Sequence, residues 1–396
     1  MSAEHPIHTP EWHVGDPFPA YARLRREEPV HWNDEREFWA ILRYADVRQI
    51  STNPELFISR KGITIPEPGF KAVQPGSMIF TDPPAHRHVR RLVLGAFTRR
   101  QITGIEPRVN AMVDEILDGV PTDVEIDFAE RLAAPLPTRI ILELLGAPSE
   151  DWEKFRRWSD AVIEISDPDV RFEDNAWAMA ELHEYFNALI EQRRAHPRDD
   201  LISQLTTAEL DGRSLTHNDL YMLCWLLLVA GNETTRNLIA LGMRALIDHP
   251  EQHAMCRDDP SLIPSAVEEM LRWCAPVTHM ARTTTADTEI RGTPIRAGQV
   301  VVMLYGSANR DEEVFGDTAE LFDVTRNPNP HVAFGYGEHL CLGASLARLE
   351  ARAMFEGLLR RLPVVEPRGP VTRMHATMVP GVTSMPVVVS AGARTP

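Results

Sequence analysis

Apolar residues recur at helical spacing along most of this chain. Behind Cys341 the apolar set is Leu342, Leu346, Leu349 and Ala353, while Arg348, Glu350 and Arg352 fall elsewhere on the wheel, so an amphipathic helix is predicted to start at Leu342. The same period predicts helices near Pro19–Glu27, Asp46–Ser51, Ala85–Phe97, Val109–Asp118, Trp152–Ile165, Asn175–Arg194, His217–Asp248 and Ser265–Trp273. Strand signals are fewer and cluster: Phe38–Leu42 is a short apolar run, Thr283–Ile290 alternates weakly, and Val300–Leu304 is β-branched and wholly apolar. The tail Val379–Ser390 is also strand-like. The pattern predicts a mainly α chain with a small β-rich part drawn from about residues 30–60, 283–305 and 375–391.

Composition narrows the function. A length of 396 residues allows two or three domains, but no Gly/Ser linker, repeat or low-complexity segment marks a boundary, so one domain over 1–396 is expected. Hydrophobic content of 43% and charged content of 25% are those of an ordinary globular protein. A net charge of −16 argues against nucleic-acid binding, which needs a basic footprint. Cys224, Cys256, Cys274 and Cys341 show no CxxC spacing, so neither a zinc site nor a disulfide framework is expected, and a reducing cytoplasm fits. Met1 to Pro29 has no apolar targeting core, and the longest apolar stretch, Leu223 to Ala230, is too short to cross a bilayer. A cytoplasmic protein without a membrane anchor is expected.

The chemistry concentrates around Cys341. It lies in a glycine-rich run ahead of the predicted helix, where free N–H groups and the helix dipole favour thiolate. Gly335, Gly337 and Gly343 clear side chains from the sulfur, so something flat and large can approach the backbone. A planar metal cofactor held by thiolate needs this geometry, and haem iron is the obvious candidate. The run Phe-x-x-Gly-x-His-x-Cys-x-Gly from Phe334 to Gly343 resembles the haem-binding loop of the cytochrome P-450 (haem-thiolate monooxygenase) family, soluble bacterial type. The resemblance extends from about Pro17 to the C-terminus and implies the cytochrome P-450 fold. It makes Cys341 the axial ligand of haem b, iron-protoporphyrin IX, with Phe334, Gly335, Gly343 and Ala230 against the macrocycle.

Three further motifs agree. The predicted long helix carries Ala230-Gly231-Asn232-Glu233-Thr234-Thr235, an acid and a hydroxyl in apolar surroundings, which is costly unless they serve something. Thr234 can bond back to the carbonyl four residues earlier, and Ala230-Gly231 leaves a smooth patch that could lie over a porphyrin face. This segment resembles the family's oxygen-activation motif, which implies that Thr234 orients bound O2 and Glu233 feeds protons through water. Glu269 and Arg272 resemble the family's Glu-x-x-Arg pair, and Arg326 fits the third place of its structural triad. The same spacing recurs at Glu153/Arg156, Glu191/Arg194 and Glu233/Arg236, where solvated helix faces are the ordinary outcome. Haem propionates need cationic or hydrogen-bonding partners, and the resemblance assigns His339, His86, Arg90 and Arg282 to them.

Family pocket walls map onto the loop Arg60–Met78, the long helix, Pro276–His279 and the turn Met378-Val379-Pro380. The side chains there, Ile63, Ile65, Met78, Leu226, Val229, Ala230, Val277 and Met378, suit a hydrophobic ligand. Wording around Glu233 and Glu269 is similar to actinobacterial members that oxidise sterols and branched lipids, which implies a sterol, steroid or terpenoid-like substrate. Arg87, Arg91, Arg99, Arg100, Arg348, Arg352, Arg360 and Arg361 cluster near the thiolate loop and suggest docking of an acidic ferredoxin-type donor. No nucleotide fingerprint or iron–sulfur cysteine spacing is present, so electrons from NAD(P)H must arrive through external partners. A monomer is expected. Two alternatives share the haem loop: a non-catalytic haem sensor or carrier, and a peroxide-driven fatty-acid hydroxylase.

Overall fold

The computed structural model describes residues 5–66, 77–164, 172–210 and 213–391. Its axis is the helix His217–Asp248. Thr216 starts that helix by accepting from the Asp219 N–H at 3.1 Å, while the Asp219 carboxylate accepts from the Thr216 N–H at 2.9 Å. Leu220 through Leu228 are all buried, so the helix is apolar on every side and lies at the centre of the protein. Pro135–Leu145, Ile263–Cys274 and Ala344–Arg361 pack around it. Arg99–Asp118 lies along Ala344–Arg361. The approach is close at Gly357, where a Cβ would stand 2.7 Å from a Val113 methyl.

Helix boundaries depart from the periodic reading where tertiary burial overrides a local breaker. Arg99–Asp118 begins well before Val109, because burial of Ile102 beside Val109 and Met112 sustains the helix across Pro107. Pro135–Leu145 has no counterpart in the reading: Leu136, Ile140, Ile141, Leu142 and Leu145 are all buried, and a helix sunk on most sides shows no stripe. It ends at Gly146, whose φ of +89° suits glycine.

The main sheet has the order Val30–Asn33, Phe38–Ile41, Val300–Leu304, His279–Thr284, Phe57–Ile58. Its pairings are antiparallel except between Phe38–Ile41 and Val300–Leu304. Val301 and Met303 bury on one face with Ile41 and Val47, and Val302 and Leu304 bury on the other with Phe38 and Ala40. Two buried faces explain a wholly apolar strand.

Two expected strands are divided. Thr283–Ile290 is the end of His279–Thr284 plus a separate hairpin, Thr288–Ile290 with Thr293–Ile295, turned at Arg291 and Gly292 with φ of 48° and 81°. The tail forms Val382–Ser384 and Pro386–Ser390, and the latter pairs with Val364–Pro367 and Glu125–Asp127 in a second sheet. Residues 375–391 therefore do not belong to the main sheet. No helix among the described residues is long and apolar enough to cross a membrane.

Candidate functional site

The Cys341 loop is closed by its own backbone. The Cys341 N–H donates to the Phe334 carbonyl at 2.9 Å, and Gly335 and Gly337 turn the chain with φ of +71° and +72°. A Cβ at Gly337 would strike the Ser51 carbonyl, so glycine lets the loop press on the helix Tyr44–Ser51. The following helix starts at Ala344, not Leu342, with Gly343 at its cap position. The expected thiolate bias is also reversed. Burial pushes the Cys341 thiol above its ordinary value, against the Gly343 N–H, Arg90 and Arg348, which favour thiolate. Cys341 is nonetheless exposed. Protein crowds this residue without covering it. A coordinating metal would deprotonate it outright.

Beside this loop Arg90 and Arg282 stand with His86 and His339, and neither arginine pairs with a carboxylate among the described residues. The rings of His86 and His339 stand 4.1 Å apart, and His339 Nε2 is 3.2 Å from the Ser59 hydroxyl. Arg90 donates to the Leu340 carbonyl at 2.6 Å. Arg282 is buried, donates to the Ala281 carbonyl at 2.7 Å, and pairs with no carboxylate among the described residues. His86 Nδ1 is buried without a hydrogen-bond partner among the described residues. Burial, then Arg282, His86 and Arg90, press the His339 pKa down to about 2. The nearby acids are already engaged: Asp82 pairs with Arg60 at 2.8 Å, and Glu338 accepts from Arg87 at 2.9 Å. Unpaired buried cations are strongly unfavourable. Two carboxylates inserted here would satisfy Arg282, Arg90 and the histidines, which is the demand that haem propionates meet. The residues present fit the group.

Glu269 is fully buried and fully used. Its Oε1 accepts from Arg272 Nη2 at 2.7 Å and the Asp323 N–H at 2.8 Å. Its Oε2 accepts from Arg272 Nε at 2.8 Å, Arg326 Nε at 3.1 Å and Asn329 at 3.0 Å. Arg272 also donates to the carbonyls of Asn309 and Ala319, at 2.9 and 2.8 Å. The three residues thus tie the helix Ile263–Cys274 to the segment that leads into the Cys341 loop.

The neighbouring Glu268 was not legible. It accepts from Arg348 at 2.6 Å and lies 3.1 Å from His331, and Arg348 stacks 4.5 Å over the Phe334 ring. Burial raises the Glu268 carboxyl, but hydrogen bonds from His331 and Arg348 outweigh it and hold the pKa far down. Glu268 therefore braces both ends of the Cys loop. Its only sequence signal is a second acid beside Glu269.

On the long helix, Ala230 is exposed between buried Leu228 and Asn232. Gly231 instead faces Ile141, so the smooth patch reduces to Ala230. The Thr234 hydroxyl donates to the Ala230 carbonyl at 2.8 Å, the back-bond that the sequence suggested. Glu233/Arg236 is not a solvated pair. Both are buried, they are in direct contact, and Arg236 reaches Asp160 on the helix Trp152–Glu164 at 2.7 Å. Burial raises the Glu233 pKa to about 8, with Arg236 opposing and Asp160 reinforcing the rise. Glu191/Arg194 is an exposed pair as expected, whereas Arg156 bonds Asp160, not Glu153.

Among the pocket candidates, Val277 and Met378 are half-buried, and the Thr278 N–H donates to the Met378 carbonyl at 2.9 Å. Leu226 is buried and Val229 partly so. Ile63 and Met78 are buried, while Ile65 packs into the sheet core with Leu24 and Phe38. Residues 67–76 of the expected Arg60–Met78 wall lie outside the described residues.

The arginine face is mostly neutralised. Arg87 bonds Glu338, Arg348 bonds Glu268, Arg352 bonds Glu106, Arg360 bonds Asp114, and Arg361 bonds Asp114 and Asp118. Arg91, Arg99 and Arg100 remain exposed without an ion pair among the described residues.

Comparison with known proteins places this geometry. The family profile described as Cytochrome P450 matches residues 167–387. A steroid C26-monooxygenase of Mycobacterium tuberculosis is 41% identical over 375 residues, covering 93% of this chain and 92% of that protein. A methyl-branched lipid omega-hydroxylase of the same organism is 39% identical over 386 residues, covering 93% of this chain and 90% of its own. The crystal structure of CYP109E1 from Bacillus megaterium in complex with testosterone superposes with a TM-score of 0.87 at 35% identity, covering 96% of this chain and 99% of that one. Identity and coverage of this order show that the chain belongs to the cytochrome P450 family of haem-dependent monooxygenases.

Proposed function

We propose that this cytochrome P450 hydroxylates a large lipophile with an aliphatic tail, a sterol or steroid, using electrons passed from NAD(P)H through a ferredoxin and its reductase. The observation that carries the substrate class is its similarity, over nearly the whole chain, to a steroid C26-monooxygenase and a methyl-branched lipid omega-hydroxylase. Apolar side chains at Leu226, Val229, Ala230, Val277 and Met378 support it, because none of them could pair a charged headgroup.

Haem, when bound, supplies the O2 activation on which C–H hydroxylation depends. Cys341 would hold the iron, Gly335 and Gly343 would leave room beside it, Phe334 would pack against it, and Arg282, Arg90, His86 and His339 would hold the propionates. The Glu269–Arg272–Arg326 triad keeps the loop aimed. Glu233, whose hold on a proton burial and Asp160 strengthen against the opposing Arg236, is the proton donor. Arg236 and Asp160 fix its carboxyl, and Thr234 presents its hydroxyl on the next residue. An acid and an alcohol so placed are not needed by a haem sensor or carrier.

The test is a spectral titration of the ferric protein. Cholestenone-like compounds are expected to shift the Soret band toward high spin at micromolar concentration, with branched fatty acids next. A shift with small aromatic acids alone would overturn the lipid assignment and leave the family assignment intact.

A further inference from the structure

The N-terminal segment, the end of the long helix and the last turn of Ile263–Cys274 enclose a cleft of about 170 Å³. Three arginines line it, and their charges do not balance. Arg244, at the rim, is paired with Asp248 at 2.7 Å. Arg310 is buried, sits 3.3 Å over the Phe18 ring and 3.6 Å over the Trp273 ring, and bonds Glu320 at 3.2 Å. Its Nε is buried with no partner among the described residues. Arg373 pairs with no carboxylate among the described residues, donating only to the carbonyls of Pro380 at 2.9 Å and Val14 at 3.1 Å.

No other group in the cleft offsets Arg373. Burial pushes the adjacent Cys274 thiol up to about 12, so it carries no negative charge at neutral pH. His13 is neutral there too, its pKa lowered to about 4 by burial. A half-buried guanidinium beside a cleft, with no carboxylate partner among the described residues, is a demand for an anion. The walls narrow the choice. Phe18, Tyr21 and Trp273 give flat apolar surface next to the two cations, which suits a short hydrocarbon body attached to a charged end.

We propose that this cleft binds a small organic carboxylate, its oxygens on Arg373 and its carbon chain against the apolar lining that includes Tyr21 and the free edges of Phe18 and Trp273. The Cys341 loop contributes no residue to this site, whereas Thr278 of the expected pocket wall Pro276–His279 lies on its edge. The site is also linked to the substrate side, because Arg373 holds the Pro380 carbonyl in the turn that carries Met378.

Calorimetric titration of the haem-loaded protein with sodium butyrate tests the proposal, with butyramide and equimolar sodium chloride as the uncharged and small-ion controls. Butyrate is expected to bind saturably at one site, and neither control to match it. Arg373→Gln is expected to weaken butyrate at least ten-fold, Arg373→Lys to retain most of the affinity, and Arg99→Gln, on an exposed unpaired arginine, to change nothing. Equal binding of butyramide, an equal response to chloride, or unchanged affinity in Arg373→Gln would overturn it. If Arg373→Gln fails to load haem, the wild-type comparison of butyrate with butyramide still decides.

Discussion

A side chain in this protein takes its chemistry from its surroundings, and the cysteines illustrate it. Cys224, Cys256 and Cys274 have thiols pushed up to about 12, 11 and 12 by burial; the first two are buried and Cys274 partly so, whereas Cys341 is exposed. The family was legible at Cys341 because the signal is local: glycines and a histidine at fixed offsets within one loop. Its protonation was not legible, because burial by distant elements outweighs the nearby helix terminus. Glu350, on the helix behind the loop, shows the same limit. Its place on the predicted wheel read as polar, yet it is buried, Oε2 has no partner among the described residues, and burial alone raises its pKa to about 8. The native state therefore keeps a proton that the unfolded chain releases, so this residue lowers stability as pH rises from about 4.5 to about 8 and has a constant effect outside that window. Glu350→Gln keeps the shape and stays neutral. Thermal melts are expected to show little difference from wild type at pH 5 and a growing advantage for the variant toward pH 8. A difference that stays constant with pH would refute the burial argument.

Elements here do work that no single helix or strand declares. The helix His217–Asp248 was legible in full because its apolar run and cap lie within one segment. Its partners were not: Glu233 and Arg236 meet Asp160 across a tertiary contact, and nothing in the spacing of Glu233 and Arg236 separates a buried pair from a surface one. The tail strand was similarly visible, but its pairing with Val364–Pro367 was not, since partner choice depends on packing of the whole chain. On the long helix, Thr234 bonds the Ala230 carbonyl and Glu233 points into the Arg236–Asp160 cluster. These two neighbours are expected to fail differently. Thr234→Ala should load haem and bind substrate normally while diverting reducing equivalents to hydrogen peroxide, measured as peroxide released per NAD(P)H consumed. Glu233→Gln should slow turnover by about 10²-fold, the scale for losing one positioned acid. Wild-type rate and coupling in both variants would remove the relay.

At the scale of the whole molecule, charge is distributed against its mean. The chain carries −16, so an acidic electron donor meets a repulsive average field and needs a local positive surface. Counting arginines in the sequence made that surface look broad, but ion pairs formed on folding consume most of it. Arg87, Arg348, Arg352, Arg360 and Arg361 each face a carboxylate, and Arg91, Arg99 and Arg100 are left on the helix Ala85–Leu94 and at the start of Arg99–Asp118. Docking of a ferredoxin-type donor is proposed to rest on these three. Steering by exposed charges is screened over about 10 Å at 0.1 M salt, so the rate of reduction should fall as ionic strength rises. Arg91→Glu should lower the low-salt rate by about ten-fold or more and flatten its salt dependence. Arg352→Glu is a weaker probe, because it first breaks the contact with Glu106 and perturbs the packing of two helices. Stopped-flow reduction of the haem by a bacterial ferredoxin, run from low to high salt on wild type and Arg91→Glu, measures both effects. A salt-independent wild-type rate, or an Arg91→Glu curve that parallels wild type, would move the docking surface elsewhere.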